Sequence, residues 1–534
     1  MREDSLRKSA RRLLACYGKG QSHQQITERQ LDVQAARAAK LTMGLRHPGM
    51  MLLDDPVGTG KTPVSLCVAK LLFDESQIDH ALVVTPSDRV ARIWHQRAKL
   101  LRLIPDDERW STGSKRWRAG RLVVATQRTV PGDIYKHQDP SRTLVIIDEA
   151  HRGLSNEETV AFQGIQPLVK GSRVLLVTAT PLQISPGGFL NMLTVGLDGS
   201  GKGKLIPPIE SYAKAIKNLL TLWEQDRDTT ESEEGVTTLR PAFEKALSPY
   251  RLPPYPNYDE NNIPRLRADH VKLDGAAPWL RAYHVAQLVP ELLHDGKGDM
   301  FQRRLVSCSD AFWSGSAGKL LRKRAVDCAE ISHLADQLLV RLGSADQHPK
   351  VQATCNWVVR NVSSPTEPRH VLIFCVFQET QEVLGQTLQS LLGEESVYCP
   401  NDQIQGAWAA RFRTPPTKKN PPIVLIARDN LSESIDLDGG RPCIVHHDLP
   451  WNPARLQQRY GRVVRISTGF QRVEASDVFV PVLDTEVDRR MFTTLVHRCL
   501  MIQRLLPSKH GLIPHSDHLP KSDVGAIAPE SQPL

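Results

Sequence analysis

Five short runs of apolar and β-branched residues recur between positions 50 and 178: Met50–Leu53, Ala81–Thr85, Leu122–Thr126, Thr143–Asp148 and Arg173–Thr178. Helical patterns lie between them, as at Pro63 to Phe73 and Arg89 to Leu103. A run that is apolar throughout, without alternation, needs cover on both faces. Such runs alternating with helices imply a parallel sheet sandwiched between helices. A second series follows at His370–Phe374, Ile423–Ala427, Cys443–His447 and Val478–Val482. The expectation is an α/β chain with two such halves.

The remainder of the chain reads around these halves. Residues 1–45 are expected to be an N-terminal helical segment, with helices from Ser5 to Ala15 and from Gln30 to Leu45. The first α/β half spans 46–200. Residues 201–345 read as a mainly helical insertion with helices at Ile209–Leu222, Ala276–His294 and Gly318–Leu342. Within it, Glu224 to Arg265 carries ESEE and RLPPYPNYDENNIP and reads as a long loop or partly disordered stretch. The second α/β half spans 346–506, and 507–534 reads as a flexible tail.

Composition narrows the function classes. The 534 residues hold 68 Lys plus Arg against 59 Asp plus Glu, a net charge of +9. That excess suits a polyanionic partner without demanding one. No apolar run approaches the roughly 20 residues of a membrane span, and the first twenty residues lack the apolar stretch of a secretory signal. The nine cysteines show no CxxC spacing. A disulfide framework or zinc ribbon is not indicated, and a reducing, cytoplasmic setting is expected.

Two motifs carry chemistry. Gly58-Thr59-Gly60-Lys61-Thr62 follows an apolar strand and precedes a helix. Glycines let backbone N–H groups turn toward phosphates, and the helix N-terminus adds partial positive charge. Lys61 would reach the β- and γ-phosphates and Thr62 would hold Mg²⁺. The strict pattern asks for glycine five residues before Gly60, where Asp55 stands. The plain alternative is a glycine turn capping a helix. The second motif is Leu144–Ile147 followed by Asp148-Glu149-Ala150-His151. Asp148 would hold the metal, Glu149 would polarise the attacking water, and His151 could carry the nucleotide state to neighbouring loops. Thr178-Ala179-Thr180-Pro181 after a strand is only a turn with hydroxyls taken alone. Gln458, Gly461, Arg462 and Arg465 form a QxxGRxxR spacing that places both arginines on one helix face. Planar guanidinium forks suit a transferring phosphoryl group, although a solvated basic face would look alike.

Taken in order, LLDDPVGTGKT, LVVTPSDRVARIWHQ, VVATQRT, LVIIDEAHR, LLVTATPLQ, HPKVQ with VLIFCVFQET, and LSESIDLDGGRPCIVHHDLPWNPARLQQRYGRVVRIS resemble the superfamily 2 helicases and translocases. The resemblance is to the RapA-like branch related to Swi/Snf-type DNA translocases, and it covers most of residues 30–500. It implies two RecA-like lobes joined through the insertion, with ATP and Mg²⁺ as cofactors. Gly58, Thr59, Gly60, Lys61 and Thr62 would cradle the triphosphate. Gln34, with Gln30 as rival, would read the adenine. Gln458, Arg462 and Arg465 would act from the second lobe, the arginines as fingers. Thr85, Pro86, Thr126 and Gln127, with Thr178 and Thr180, would meet or couple to the nucleic acid. So would Ala427–Ser432, with Ser432, Glu433 and Asp436 linking it to the cleft. Departures from the family pattern are Pro56 in place of an acidic residue and Thr178 in place of serine.

The resemblance thus implies a nucleic-acid-stimulated ATP hydrolase moving on DNA, single- or double-stranded and without sequence preference. An RNA-dependent remodeller and an ATP-gated scaffold subunit are the other readings. Protein partners could supply a nuclease or other activity, and no membrane is implied. Cys443, His446 and His447, and His510, His515 and His518 in the tail, could suggest metal sites but read better as strand and tail residues.

Overall fold

The computed structural model describes residues 2–505, leaving out 20–27, 56–57, 111–120, 131–138, 180–185, 199–205, 225–229, 254, 256–265, 272–278, 280–282, 284–297, 315, 327–328, 343–346, 401–406, 429–436, 438–439, 441, 451–452 and 461–477. Pro56, Thr180, Ser432, Glu433, Asp436, Arg462 and Arg465 therefore lie outside the described residues. The same holds for most of Ala276–His294 and for the tail with His510, His515 and His518. The chain divides into two compact units, one mainly Met1–Tyr258 and the other mainly Asp259–Val464 with Arg472–Met501.

The first unit runs α1 (Glu3–Lys19), α2 (Glu28–Gly44), β1 (Gly49–Leu53), α3 (Lys61–Asp74), β2 (His80–Thr85), α4 (Asp88–Leu100), β3 (Arg121–Thr126) and β4 (Thr143–Asp148). It continues through α5 (Ala150–Leu154), α6 (Val160–Val169), β5 (Arg173–Val177), α7 (Pro186–Asp198), α8 (Ile206–Glu224) and α9 (Thr230–Leu247). All five strands are parallel, in the order β1-β5-β4-β2-β3. The strands are buried almost end to end, which is why they read as unbroken apolar runs. α3 is buried around most of its circumference because it lies between the sheet and the α1–α2 pair. Leu6, Ala10, Leu14 and Tyr17 of α1 enter the same core as Leu66 and Leu71 of α3. The three large α1 side chains stabilise the unit by about 1.5–3 kcal/mol each.

Within Glu224 to Arg265, expected to be a long loop or partly disordered stretch, Thr230–Leu247 is instead the helix α9, while 225–229, 254 and 256–265 lie outside the described residues. The acidic run became a helix start: Glu231 and Glu233 sit in the first turn, where they complement the positive end of the helix dipole. Val236, Phe243 and Leu247 recur on one buried face, and the Phe243 ring stacks on Tyr212 of α8 at 4.3 Å. Pro241 and Gly235 inside the helix masked this pattern, and packing overrides their low propensity.

The second unit begins with β6 (Leu266–Val271), then α10 (Gly298–Ser307), α11 (Ser309–Trp313), α12 (Ser316–Ala325), α13 (Ala329–Leu342) and α14 (Pro349–Val362). β7 (Val371–Cys375), α15 (Gln378–Leu392), β8 (Val397–Tyr398), α16 (Ala407–Arg413), β9 (Val424–Arg428), β10 (Cys443–His446), α17 (Pro453–Tyr460), β11 (Val478–Leu483) and α18 (Glu486–Leu505) follow. The sheet is again parallel, in the order β6-β11-β10-β7-β9-β8. β6 and β8 are edge strands that the sequence pattern does not announce. An edge strand pairs on one side only, so LRADHV needs no apolar run. The expected helix Gly318–Leu342 is two helices, α12 and α13.

A buried ion pair fastens this unit. Lys350 of α14 donates to both carboxylate oxygens of Asp488 in α18, at 3.0 and 2.8 Å, and both residues are almost wholly buried. Asp488 also accepts from the Leu483 N–H at 2.8 Å. Lys350→Met leaves that carboxylate charged and uncompensated in the core. It is expected to cost about 3–5 kcal/mol in denaturant unfolding. Lys70→Ala breaks the more exposed Lys70–Asp74 pair of α3 and should cost at most about 0.5 kcal/mol.

Candidate functional site

The register of the first sheet brings three loops to one edge. Leu53 of β1 lies beside Val177 of β5, and Val177 lies beside Asp148 of β4. After β1 the chain crosses over β5 and β4 to build β2, so the strand order reverses here. Open parallel sheets bind ligands at the carboxyl ends of the strands at such a point. The residues at this edge are the glycine loop, Asp148-Glu149 and Thr178.

The loop is shaped by backbone that only glycine takes without strain. Gly58 and Gly60 have φ of 82° and 89°. A Cβ on Gly60 would collide with the Gln34 side-chain nitrogen, a second reason for glycine there. Gln34, buried on α2, donates from Nε2 to the Thr59 carbonyl at 2.9 Å. Its Oε1 is buried and without a hydrogen-bond partner. Lys61 and Thr62 open α3, both half-buried. Lys61 Nζ donates to the Asp55 carbonyl at 3.0 Å. Burial pushes the Lys61 amine below its ordinary range, and the carboxylates of Glu149, Asp55, Asp148 and Asp54 oppose that shift.

Asp148 and Glu149 stand across the edge. Burial, with the neighbouring Glu149 charge, pushes Asp148 up to about 7. Trp94 of α4, fully buried, donates its indole N–H to Asp148 Oδ2 at 2.7 Å. Glu149 caps α5 in a left-handed conformation, φ 48°. Its Oε2 is buried without a hydrogen-bond partner, 3.5 Å from His151 Nδ1. Burial and Arg152 push His151 down to about 3, so the ring is neutral and makes no ion pair with Glu149. His151 Nδ1 lies 2.8 Å from Thr178 Oγ1, which ties the end of β4 to the end of β5.

The residues expected along the nucleic acid divide by burial. Thr85 and Thr126 pair across β2 and β3 and are buried. The Thr85 hydroxyl donates to Ala125 O at 3.1 Å, and the Thr85 carbonyl accepts from Gln127 N at 2.9 Å. These threonines brace the loops, while Pro86 and Gln127 are half-buried and Arg128 beside them is exposed. A Cβ on Gly153 of α5 would lie 2.8 Å from Gln127 Nε2, so that loop packs directly on the helix that follows Glu149.

In the second unit, Gln458 is buried on α17. The adjacent Arg459 is fully buried, donates to Asp448 O at 2.8 Å and lies over the Phe374 ring at 5.1 Å. His446 Nδ1 faces Arg459 at 3.2 Å, and His447 bonds to Thr354 and to the Ser307 carbonyl. Sequence reasoning missed Trp94, Arg37, Arg251, Arg459 and Arg128. The first three meet partners 18 to 216 positions away, and Arg459 is buried against Asp448 and the Phe374 ring. Arg128 had a usable signal, a cation directly after VVATQ.

The donor set fits a triphosphate with a hard divalent cation. A glycine cradle at a helix N-terminus, a lysine amine, a hydroxyl at Thr62 and a carboxylate at Asp148 are oxygen ligands and cations of the right kind. The strain at Glu149 leads to a stability test. Glu149→Gly removes both the left-handed penalty and a buried unpaired oxygen. Against Glu149→Gln, which keeps the side chain, it is expected to raise stability by about 1 kcal/mol in thermal unfolding.

Two family models match the chain. One described as "Type III restriction enzyme, res subunit" covers residues 23–183, and one described as "Helicase conserved C-terminal domain" covers residues 350–467. The "Uncharacterized ATP-dependent helicase YqhH" of Bacillus subtilis is 26% identical over 78% of this chain and 70% of its own length. The "RNA polymerase-associated protein RapA" of Pectobacterium atrosepticum is 29% identical over 27% of this chain. A "SWI/SNF-related matrix-associated actin-dependent regulator of chromatin subfamily A-like protein 1" of Bos taurus is 32% identical over 28%. Each of these last two matches spans 16% of the relative's length. With a parallel α/β unit carrying the glycine loop and Asp148-Glu149, and a helicase C-terminal domain after it in the chain, the protein is an ATP-hydrolysing enzyme of helicase type, similar to the superfamily 2 helicases and among them to RapA and Swi/Snf-like relatives.

Proposed function

We propose that the protein is a nucleic-acid-stimulated ATPase that translocates on DNA. The observation that carries this is the convergence of Lys61, Asp148, Glu149 and the Gln34-braced loop on one sheet edge, together with a second parallel unit of helicase type. Gln34 Oε1 accepts from the adenine amino group. Gly58, Thr59 and Gly60 turn their N–H groups to the phosphates, and Lys61 pairs with the β- and γ-phosphates. Thr62 and Asp148 would hold Mg²⁺, which would supply neutralisation of charge on the transferring phosphoryl group. Glu149 orients and polarises the attacking water; its unpaired Oε2 is an acceptor ready for that proton. Gln458, Arg462 and Arg465 act on the γ-phosphate end, the arginines as fingers.

Loss of the γ-phosphate releases those arginines. Thr178, held by His151, couples the event to the loops that bear Pro86, Gln127 and Arg128. Ser432, Glu433 and Asp436 do the same from the second half. Contacts to the strand are mainly to phosphates, so binding is sequence-independent and weakens with salt. The net charge of +9 supports a polyanionic partner.

The discriminating measurement is the ATPase rate with no nucleic acid, single-stranded DNA, double-stranded DNA or RNA, with Glu149→Gln as control. Stimulation by either DNA supports the proposal. Stimulation by RNA alone makes the protein a ribonucleoprotein remodeller, and a slow rate indifferent to all three makes it an ATP-gated scaffold. Lys61→Ala and Glu149→Gln are expected to abolish turnover. Arg462→Ala should leave ATP binding largely intact while hydrolysis falls by ~10³.

A further inference from the structure

The glycine loop is preceded by two adjacent buried carboxylates, Asp54 and Asp55. Two such charges directly ahead of a polyphosphate site are unfavourable unless each is compensated. Both are compensated by arginines from elsewhere in the first unit. Arg251 meets Asp54 at 2.5 Å, with side-chain exposures of 12% and 5%. Arg37 of α2 donates to Asp55 Oδ2 from Nε at 2.5 Å and makes a second bond from Nη2 to Oδ1. The same Arg37 donates from Nη1 to the Pro253 carbonyl at 3.1 Å, and its guanidinium lies over the Tyr255 ring at 5.2 Å.

These contacts share one piece of chain. Residues 250–253 and 255 come after α8 and α9 in the chain and return to β1, where Arg251 forms a parallel bridge with Leu52. β1 is the edge of its sheet, paired otherwise only with β5 among the described residues. The segment thus covers the free edge of the strand that delivers the glycine loop, and fixes the two residues through which strand becomes loop. Asp55 in turn holds the Lys61 amine through its carbonyl.

We infer that Arg251 is a positioning residue for ATP binding: by neutralising Asp54 it keeps that carboxylate from competing for Lys61 and from repelling the phosphates. This rests on the reading of Gly58–Thr62 as the phosphate cradle. Asp54 already acts on the Lys61 amine, behind Glu149, Asp55 and Asp148. Freed from Arg251, its charge draws that amine away from the nucleotide and adds like charge beside it. The consequence falls on affinity, because the groups that act on the γ-phosphate and the water are untouched.

The test is ATP-dependent turnover, KM and kcat separately, for Arg251→Ala, Arg251→Lys, Asp54→Ala and the double variant Asp54→Ala/Arg251→Ala, with melting temperatures for each. Arg251→Ala is expected to raise KM for ATP about tenfold with kcat within about threefold of the parent. Arg251→Lys should fall between, and the double variant should return KM to within about threefold of the parent. An unchanged KM in Arg251→Ala overturns the inference. So does a double variant with KM no better than Arg251→Ala, which would mean that the segment serves by packing alone. Should Arg251→Ala fail to fold, Arg251→Lys and the double variant measured against Asp54→Ala decide the same question. Lys61→Ala separates the two failures: if it retains turnover, the cradle reading falls, whereas a dead Lys61→Ala with an unmoved Arg251→Ala removes the inference alone.

Discussion

Everything at the carboxyl edge of the first sheet is arranged around one half-buried amine, that of Lys61. Burial pushes the Lys61 amine below its ordinary range, and the carboxylates of Glu149, Asp55, Asp148 and Asp54 oppose that shift. Those acids are themselves crowded, and Asp148 is pushed up to about 7 by burial and by its neighbour. Arg251 and Arg37 pair with Asp54 and Asp55, so Asp148 and Glu149 are the acids left to face the lysine most directly. A ligand that brings its own cations, or removes a proton, changes that balance more than it would on a wet surface. The left-handed backbone of Glu149 and its unpaired oxygen belong to the same tension.

The second unit solves burial differently. Besides the Lys350–Asp488 pair, its interior is stitched by neutral hydrogen bonds from histidines. His447 donates from Nε2 to the Ser307 carbonyl at 3.0 Å and accepts from Thr354 at 2.8 Å. His348 donates to the Leu305 carbonyl at 2.9 Å and is pushed down to about 3 by burial. Ser307 and Thr380 share a further bond at 2.8 Å. These bonds hold the C-terminal end of α10 against the sheet without any net charge. That use of Cys443, His446 and His447 in strand and core contacts gives them structural work distinct from metal ligation.

How much of this could be read from the chain depended on the range of the interaction. The strands and the two motifs were legible because their causes are local. Apolar runs need cover on both faces, and Gly58 and Gly60 carry their φ values with them. The nine strand runs read in the two halves match β1 to β5, β7, β9, β10 and β11. The partners of the site were not legible. Trp94 meets Asp148 across 54 positions, and Arg37 meets Pro253 across 216. α9 was hidden by glycine, proline and an acidic run whose helical use depends on Tyr212 packing from α8. β6 was hidden because an edge strand needs little hydrophobicity. The finger role proposed for Arg462 and Arg465 rests on the sequence motif alone, because both lie outside the described residues.

The α1 helix has a practical bearing. Its apolar stripe, Leu6, Leu14 and Tyr17, closes over α2 and α3, and α3 is the helix that begins with Lys61. The family match starts only at residue 23. A shortened chain cut to that boundary would keep every motif and yet open a greasy trough on the back of the nucleotide helix, inviting clumping in solution and loosening the helix from behind.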